Sequence, residues 1–291
     1  MQVPTVNIDG WHILGASVQG VGHAARAMPC QDAHLWRQLP GGGFILAVAD
    51  GAGSAPRSAE GARQAVITAI ETLAAELAGP PPAGEAGWTA LLAEVYQGAR
   101  DALCQLAAAA HAPLGDFATT LVCAVAVEPW LVTAQLGDGW IVAQTDTGEL
   151  LLTARPQRGE YANEAYFLTM DRALDGLEVR VYRERVCALA ASTDGLLRLA
   201  LRLPAGVPHA PFFRPLFDFA AAAGHDGRAQ QELVHFLASA PVCARTDDDK
   251  TLVLAARAVD RQIAPAIGLP LDGLLLLPAP QAALVSEDIT D

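Results

Sequence analysis

Residues 44–54 read FILAVADGAGS: the apolar run Phe44–Ala49 stops at once on Asp50-Gly51-Ala52-Gly53-Ser54. A short apolar run bounded by Gly and Asp reads as a buried strand ending in a loop. Working outward, Ala33–Gln38 reads as a second strand, joined to the first through Leu39-Pro40-Gly41-Gly42-Gly43, and Trp11–Val18 as a third. Downstream, Ala62, Val66, Ile70, Leu73 and Leu77 fall at three- and four-residue steps, predicting a helix over Ser58–Leu77 that Gly79-Pro80-Pro81-Pro82 stops. The stripe Leu92, Val95, Ala99, Leu103 and Leu106 predicts a second helix over Thr89–Ala110.

Strand patterns then return at Phe117–Val127 and Trp130–Leu136, again at Trp140–Gln144 beyond Gly137-Asp138-Gly139, and at Leu150–Thr153 after the turn Asp146-Thr147-Gly148. Val186–Ala191 is a strand ending at Thr193-Asp194-Gly195. A proline-rich stretch, 204–215, leads into helix near 216–223; a further helix spans Arg228–Ala240; Asp247-Asp248-Asp249 precedes a last strand, Thr251–Ala255. This order lacks strict βα alternation. It predicts an α+β fold, a four-layer α-β-β-α sandwich of two antiparallel sheets flanked by helices, once the resemblance below is added. One domain is expected over 1–260, with a loosely docked or disordered tail over 261–291 that carries Leu274–Leu277.

Hydrophobic residues make up 52% of the 291 and charged residues 18%, which excludes a disordered chain. The net charge of −13 argues against nucleic acid or an anionic membrane as partner. Cys30, Cys104, Cys123, Cys187 and Cys243 are widely spaced with no CxxC pair, so no zinc site or disulfide framework is expected and reduced thiols are. The opening MQVPTVNIDGWHILGASVQG lacks the basic and apolar parts of a secretory signal, so a cytoplasmic location is expected. The stretch Phe117–Leu136 is interrupted by Glu128-Pro129 and reads as two strands, not a membrane span.

Asp50, Asp138 and Asp194 each follow an apolar strand and precede Gly, and Asp248 stands just before a strand. A single Asp-Gly is most often only a turn. Four at strand ends can meet at the rim of packed sheets, where carboxylates repel one another unless a cation neutralises them. Magnesium and manganese favour such an all-oxygen set. There is no GxSxG elbow and no phosphate loop of the GxxxxGK[ST] type; the DxDxT pattern at Asp247, Asp249 and Thr251 lies before a late strand, not after a first one.

Gln31-Asp32-Ala33, Asp50-Gly51-Ala52-Gly53-Ser54, Phe117-Ala118-Thr119-Thr120-Leu121 with Gln135-Leu136-Gly137-Asp138-Gly139, Ser192-Thr193-Asp194-Gly195 and Asp248-Asp249-Lys250-Thr251 occur in order over roughly 10–257. Together they resemble the blocks of the metal-dependent protein phosphatases of type 2C. Gly159-Glu160-Tyr161-Ala162-Asn163-Glu164 resembles a segment of a compact bacterial branch of that family, in the region of a flap beside the active site.

The resemblance implies two antiparallel sheets with helices outside and a two-metal centre, Mn²⁺ or Mg²⁺, at one end. By position Asp50 would bridge the metals, the Gly51 carbonyl would bind the second, Asp194 and Asp248 would complete the first, Asp32 would hold metal-bound waters, and Asp138 with Asp194 would hold a third, weaker ion. The implied reaction is hydrolysis of phosphoserine or phosphothreonine in a protein by water activated between the metals, by a monomer opposed by a Ser/Thr kinase. A phosphatase-like module that binds a phosphorylated partner with little turnover is the alternative. Arg26 is a candidate grip for phosphate, and Glu160 and Asn163 are candidate flap contacts in a mobile 155–175 segment. The chain departs from the family in two places: Gln31 stands where many relatives have Glu, and Ala52 where animal relatives have a His that would protonate the leaving group. His23 and His34 flank the first block and read as structural.

Overall fold

The computed structural model of the chain describes residues 10–157, 166–224 and 227–258. In chain order the elements are β1 (Trp11–Val18), α1 (Val21–Ala25), β2 (Ala33–Gln38), β3 (Phe44–Ala49), α2 (Ser58–Glu76), α3 (Glu85–Ala109), β4 (Leu121–Val127), β5 (Trp130–Leu136), β6 (Trp140–Thr145), β7 (Leu150–Ala154), β8 (Glu178–Tyr182) and β9 (Val186–Ser192). There follow α4 (Leu197–Ala200), the small hairpin β10 (Leu201–Arg202) and β11 (Val207–Pro208), α5 (Ala210–Ala221), α6 (Arg228–Leu237), α7 (Ala240–Cys243) and β12 (Lys250–Arg257). One five-stranded sheet runs β1-β12-β9-β6-β7 and the other β2-β3-β4-β5-β8, with every neighbouring pair antiparallel.

The two-residue period of a strand assigns each side chain to a layer. On β3, Phe44, Leu46 and Val48 face the other sheet, while Ile45, Ala47 and Ala49 face the helices α2 and α3. On β12, Val253 and Ala255 enter the inter-sheet core, while Leu252, Leu254 and Ala256 join the core built with α5 and α6. Both faces of these strands are therefore buried, which is why they read as continuous apolar runs rather than as alternation. The layers run α2 and α3, sheet, sheet, α5 and α6, the four-layer α+β sandwich expected. Phe44 is fully buried against Trp11, their rings 4.8 Å apart, and truncating such a core aromatic to Ala costs about 3–5 kcal/mol.

Three helix boundaries differ from expectation: α6 ends at Leu237 rather than Ala240, which instead opens α7 ahead of Pro241, and two others begin early. Helix α3 begins at Glu85, ahead of Thr89, because Trp88 buries completely in its first turn. Helix α5 begins at Ala210, inside the proline-rich stretch: Pro211 sits in the first turn, where no intrahelical donor is needed, and Pro215 is carried within the helix. Burial of Phe212, Phe213, Leu216 and Phe217 offsets the missing hydrogen bond. No helix among the described residues is long and apolar enough to cross a membrane. The tail 261–291 and the flap residues Glu160, Tyr161 and Asn163 lie outside the described residues.

Candidate active site

All the singled-out aspartates except Asp248, which stands ahead of β12, and Asp32, ahead of β2, leave the end of a strand: Asp50 after β3, Asp138 after β5, Asp194 after β9. Antiparallel pairing brings these ends to one side of the sandwich. Asp50, Gly51, Asp138 and Asp248 line a single cleft of about 330 Å³, together with Gly22, His23, Arg26, Ala52, Gly53, Thr120, Phe167 and Asp247. Asp194 is close enough to Asp50 for a side-chain hydrogen bond. Asp32 sits behind them, its Oδ2 accepting the Thr193 hydroxyl at 2.8 Å.

The backbone around Asp50 is held by the threonines of the central block. Its carbonyl accepts the Thr120 N–H at 2.8 Å and the Thr119 hydroxyl at 2.9 Å, and its N–H donates to the Thr120 hydroxyl at 3.0 Å. Gly51 follows in a place with no room for a side chain, since a β-carbon there would stand 2.8 Å from the Gln31 carbonyl oxygen and from Ser58. That packing fixes the direction of the Gly51 backbone at the cleft.

Burial, followed by the charges of Asp32, Asp194, Asp138 and Asp248, holds the Asp50 carboxyl well above the usual carboxylate range. Burial likewise raises Asp32 and Asp138, and it raises Asp194 to about 7 with help from Asp138 and Asp248. Among the described residues no three His, Cys, Asp or Glu side chains close into a ligand cage. The donor set nonetheless fits hard divalent cations. It is all oxygen, its charges destabilise one another, and Asp32 Oδ1 is buried with no hydrogen-bond partner.

Arg26, the candidate phosphate grip, lines the cleft because of α1. This short helix follows Gly20, where a β-carbon would come within 2.3 Å of the Asp248 carbonyl carbon, so only glycine allows the approach. Arg26 Nε donates to the Gly22 carbonyl at 3.1 Å. His34 is structural as expected: burial lowers it to about 4, and its Nδ1 lies 2.8 Å from the Ser17 hydroxyl. Ala52 packs with Ala55, Ala118 and Phe167 on the cleft wall.

Sequence reasoning missed Asp249, which is buried and organises the segment before β2. It accepts the backbone N–H of Gly20 on Oδ1 and of Gln31 on Oδ2, each at 2.6 Å. Its neighbour Asp248 carried the pattern, and nothing in an Asp-Asp pair tells which member turns inward. It missed Phe167 as well, whose only signal was an aromatic at the edge of a polar run.

A profile of the Protein phosphatase 2C family matches residues 19–238. Serine/threonine-protein phosphatase 3 of Escherichia coli (strain K12) is 36% identical over 252 residues, which is 84% of this chain and 98% of that one. The chain belongs to the protein phosphatase 2C family. Solved structures share the fold: Stp1 of Staphylococcus aureus superposes with a TM-score of 0.55 at 14% identity, covering 89% of this chain and 99% of that one. The Mycobacterium tuberculosis phosphatase PstP/Ppp gives 0.55 at 17% identity over 86% and 99%. The PstP catalytic domain solved in complex with two manganese ions gives 0.53 at 18% identity, again over 86% and 99%. Of the blocks quoted above, Asp50, Gly51, Ala52, Gly53, Thr120, Asp138 and Asp248 line the cleft.

Proposed function

We propose that this chain is a divalent-metal-dependent phosphatase that hydrolyses phosphoserine and phosphothreonine in proteins. The observation that carries the reading is that Asp50, Asp138 and Asp248 line one cleft with Asp194 and Asp32 close behind, and that burial and neighbouring charges raise the carboxyls of Asp32, Asp50, Asp138 and Asp194. Family membership, and the manganese complex of PstP, support it further.

Asp50, the Gly51 carbonyl, Asp194 and Asp248 would hold two Mn²⁺ or Mg²⁺ ions, with Asp32 behind them and Asp138 beside a third, weaker site. Bound there, such ions cancel the repulsion between a phosphate dianion and the carboxylates and make the attacking water more acidic. The chain's own groups do the rest. Asp32, tied to Thr193, keeps a free oxygen for a water's proton. Arg26 is the one guanidinium among the described residues of the cleft wall and grips the phosphoryl oxygens. Phe167 on its alanine bed offers an apolar wall to the residue carrying the phosphate. Glu160 and Asn163, seven and four residues before Phe167 in the sequence, contact the protein substrate.

The reading brings with it a single catalytic domain over 1–260, a cytoplasmic setting and an opposing Ser/Thr kinase. The test is release of phosphate from 4-nitrophenyl phosphate and from a phosphothreonine peptide with Mn²⁺ and with EDTA. Metal-dependent release from both is expected. Metal-dependent binding of the phosphopeptide without turnover would favour the binding-module reading instead.

A further inference from the structure

One imidazole in the cleft has no part in the reading above. His23 lies in α1, 5% exposed, and lines the cleft with Arg26, Asp50, Gly51 and Ala52. Its Nδ1 stands 2.8 Å from Asp249 Oδ2, without the alignment of a hydrogen bond. Asp249 is itself pinned by the Gly20 and Gln31 N–H groups. The His23 carbonyl accepts the N–H groups of Arg26 and Met28 at 3.1 and 3.0 Å, which fixes the backbone that carries the ring. With Nδ1 against Asp249, the far side of the ring is directed at the loop after β3. Nε2 lies 3.9 Å from where a β-carbon on Gly53 would stand, as does Gln31 Oε1. The loop itself holds no proton donor at Ala52, so an imidazole reaches it from α1 instead.

We propose that His23, braced by Asp249, is the proton donor to the leaving serine or threonine oxygen; the proposal rests on the phosphatase reading. In the step a water oxygen forms the new bond to phosphorus, and the bond from phosphorus to the seryl oxygen breaks with its electron pair on that oxygen. The oxygen takes the proton from His23 Nε2 and departs as the alcohol. The proton lost by the attacking water goes to solvent, and solvent returns one to His23. An alkoxide is a poor leaving group, so the donor matters most for phosphoserine and least for 4-nitrophenyl phosphate.

The experiment measures single-turnover hydrolysis by the Mn²⁺-loaded wild type and the His23→Ala variant, with a phosphoserine peptide, phenyl phosphate and 4-nitrophenyl phosphate. In His23→Ala the phosphoserine rate is expected to fall about 10²–10⁴-fold, with a loss for 4-nitrophenyl phosphate smaller by at least about tenfold. Imidazole added to the buffer should restore part of the phosphoserine rate, which a purely structural or phosphate-gripping role would not allow. Equal losses on all three substrates, or no recovery with imidazole, overturn the proposal. If the variant does not fold, the wild type alone decides. Phenyl phosphate cleaved within about tenfold of 4-nitrophenyl phosphate supports a donor, and a gap beyond about a hundredfold overturns it. A wild type that cleaves none of the three with metal brings down the phosphatase reading itself, and the proposal with it.

Discussion

The Thr193 hydroxyl donates to Asp32 Oδ2 at 2.8 Å, tying the loop after β9 in one sheet to the residue ahead of β2 in the other. The carboxylate of Asp32 is thereby held in place behind the cleft by a residue of the other sheet's loop. Thr193→Val keeps the shape and removes the donor. Loss of such an outer partner typically weakens a metal site about 10–100-fold. The Mn²⁺ concentration at half-maximal activity should rise by that order, while the variant melts cooperatively.

Asp50→Asn and Asp194→Asn remove charge from a cluster that destabilises itself. Without metal, the melting temperature of each should hold or rise relative to wild type. The increment that saturating Mn²⁺ adds to wild type should shrink in both. Thermal scans in EDTA and in Mn²⁺ measure this, and a large loss of stability in EDTA would mean that these carboxylates serve the fold.

The same raised carboxyls set a pH dependence. A carboxyl whose folded value lies above its unfolded one binds more protons in the folded state, so its contribution is present at low pH and lost as pH rises through the folded value. For Asp194 that window runs from the ordinary carboxylate range up to about 7. In EDTA the melting temperature should fall between about pH 5 and pH 8, and the increment from Mn²⁺ should grow over the same interval. Asp194→Asn should flatten the slope in EDTA.

Arg26→Ala tests the phosphate grip. A hydrogen bond to a charged group contributes about 1.5–3 kcal/mol, or roughly ten- to a hundredfold. KM for 4-nitrophenyl phosphate, and the inhibition constant for inorganic phosphate, should both rise by that order. The Mn²⁺ midpoint should stay in place.

The layering was legible because both faces of β3, β4 and β12 are buried, which leaves apolar runs; that of β3 ends abruptly at Asp50, and β12 begins directly after Asp249. Asp50, Asp138, Asp194 and Asp248 stood out by their strand-end positions, and the resemblance of the blocks around them to the type 2C phosphatases decided their reading. What stayed hidden depends on contacts between segments distant in the chain. Gly20 lets α1 approach Asp248, and that approach turns Arg26 and His23 into the cleft. No local pattern around residue 26 records a contact made some two hundred residues away. The inward turn of Asp249 is hidden for the same reason, since its partners Gly20 and Gln31 belong to the other end of the chain. The start of α5 was masked by Pro211 and Pro215, whose penalties tertiary burial of the phenylalanines overrides.

We propose that the aspartate cleft holds divalent cations on which hydrolysis of phosphoprotein esters depends. Phosphate release from a phosphothreonine peptide, followed as Mn²⁺ is titrated into EDTA-treated wild type and into Asp50→Asn, tests this. Saturable, metal-dependent release is expected in wild type, with loss of most turnover in the variant at every Mn²⁺ concentration. Turnover in Asp50→Asn near that of wild type, or wild-type release that persists in excess EDTA, would contradict it.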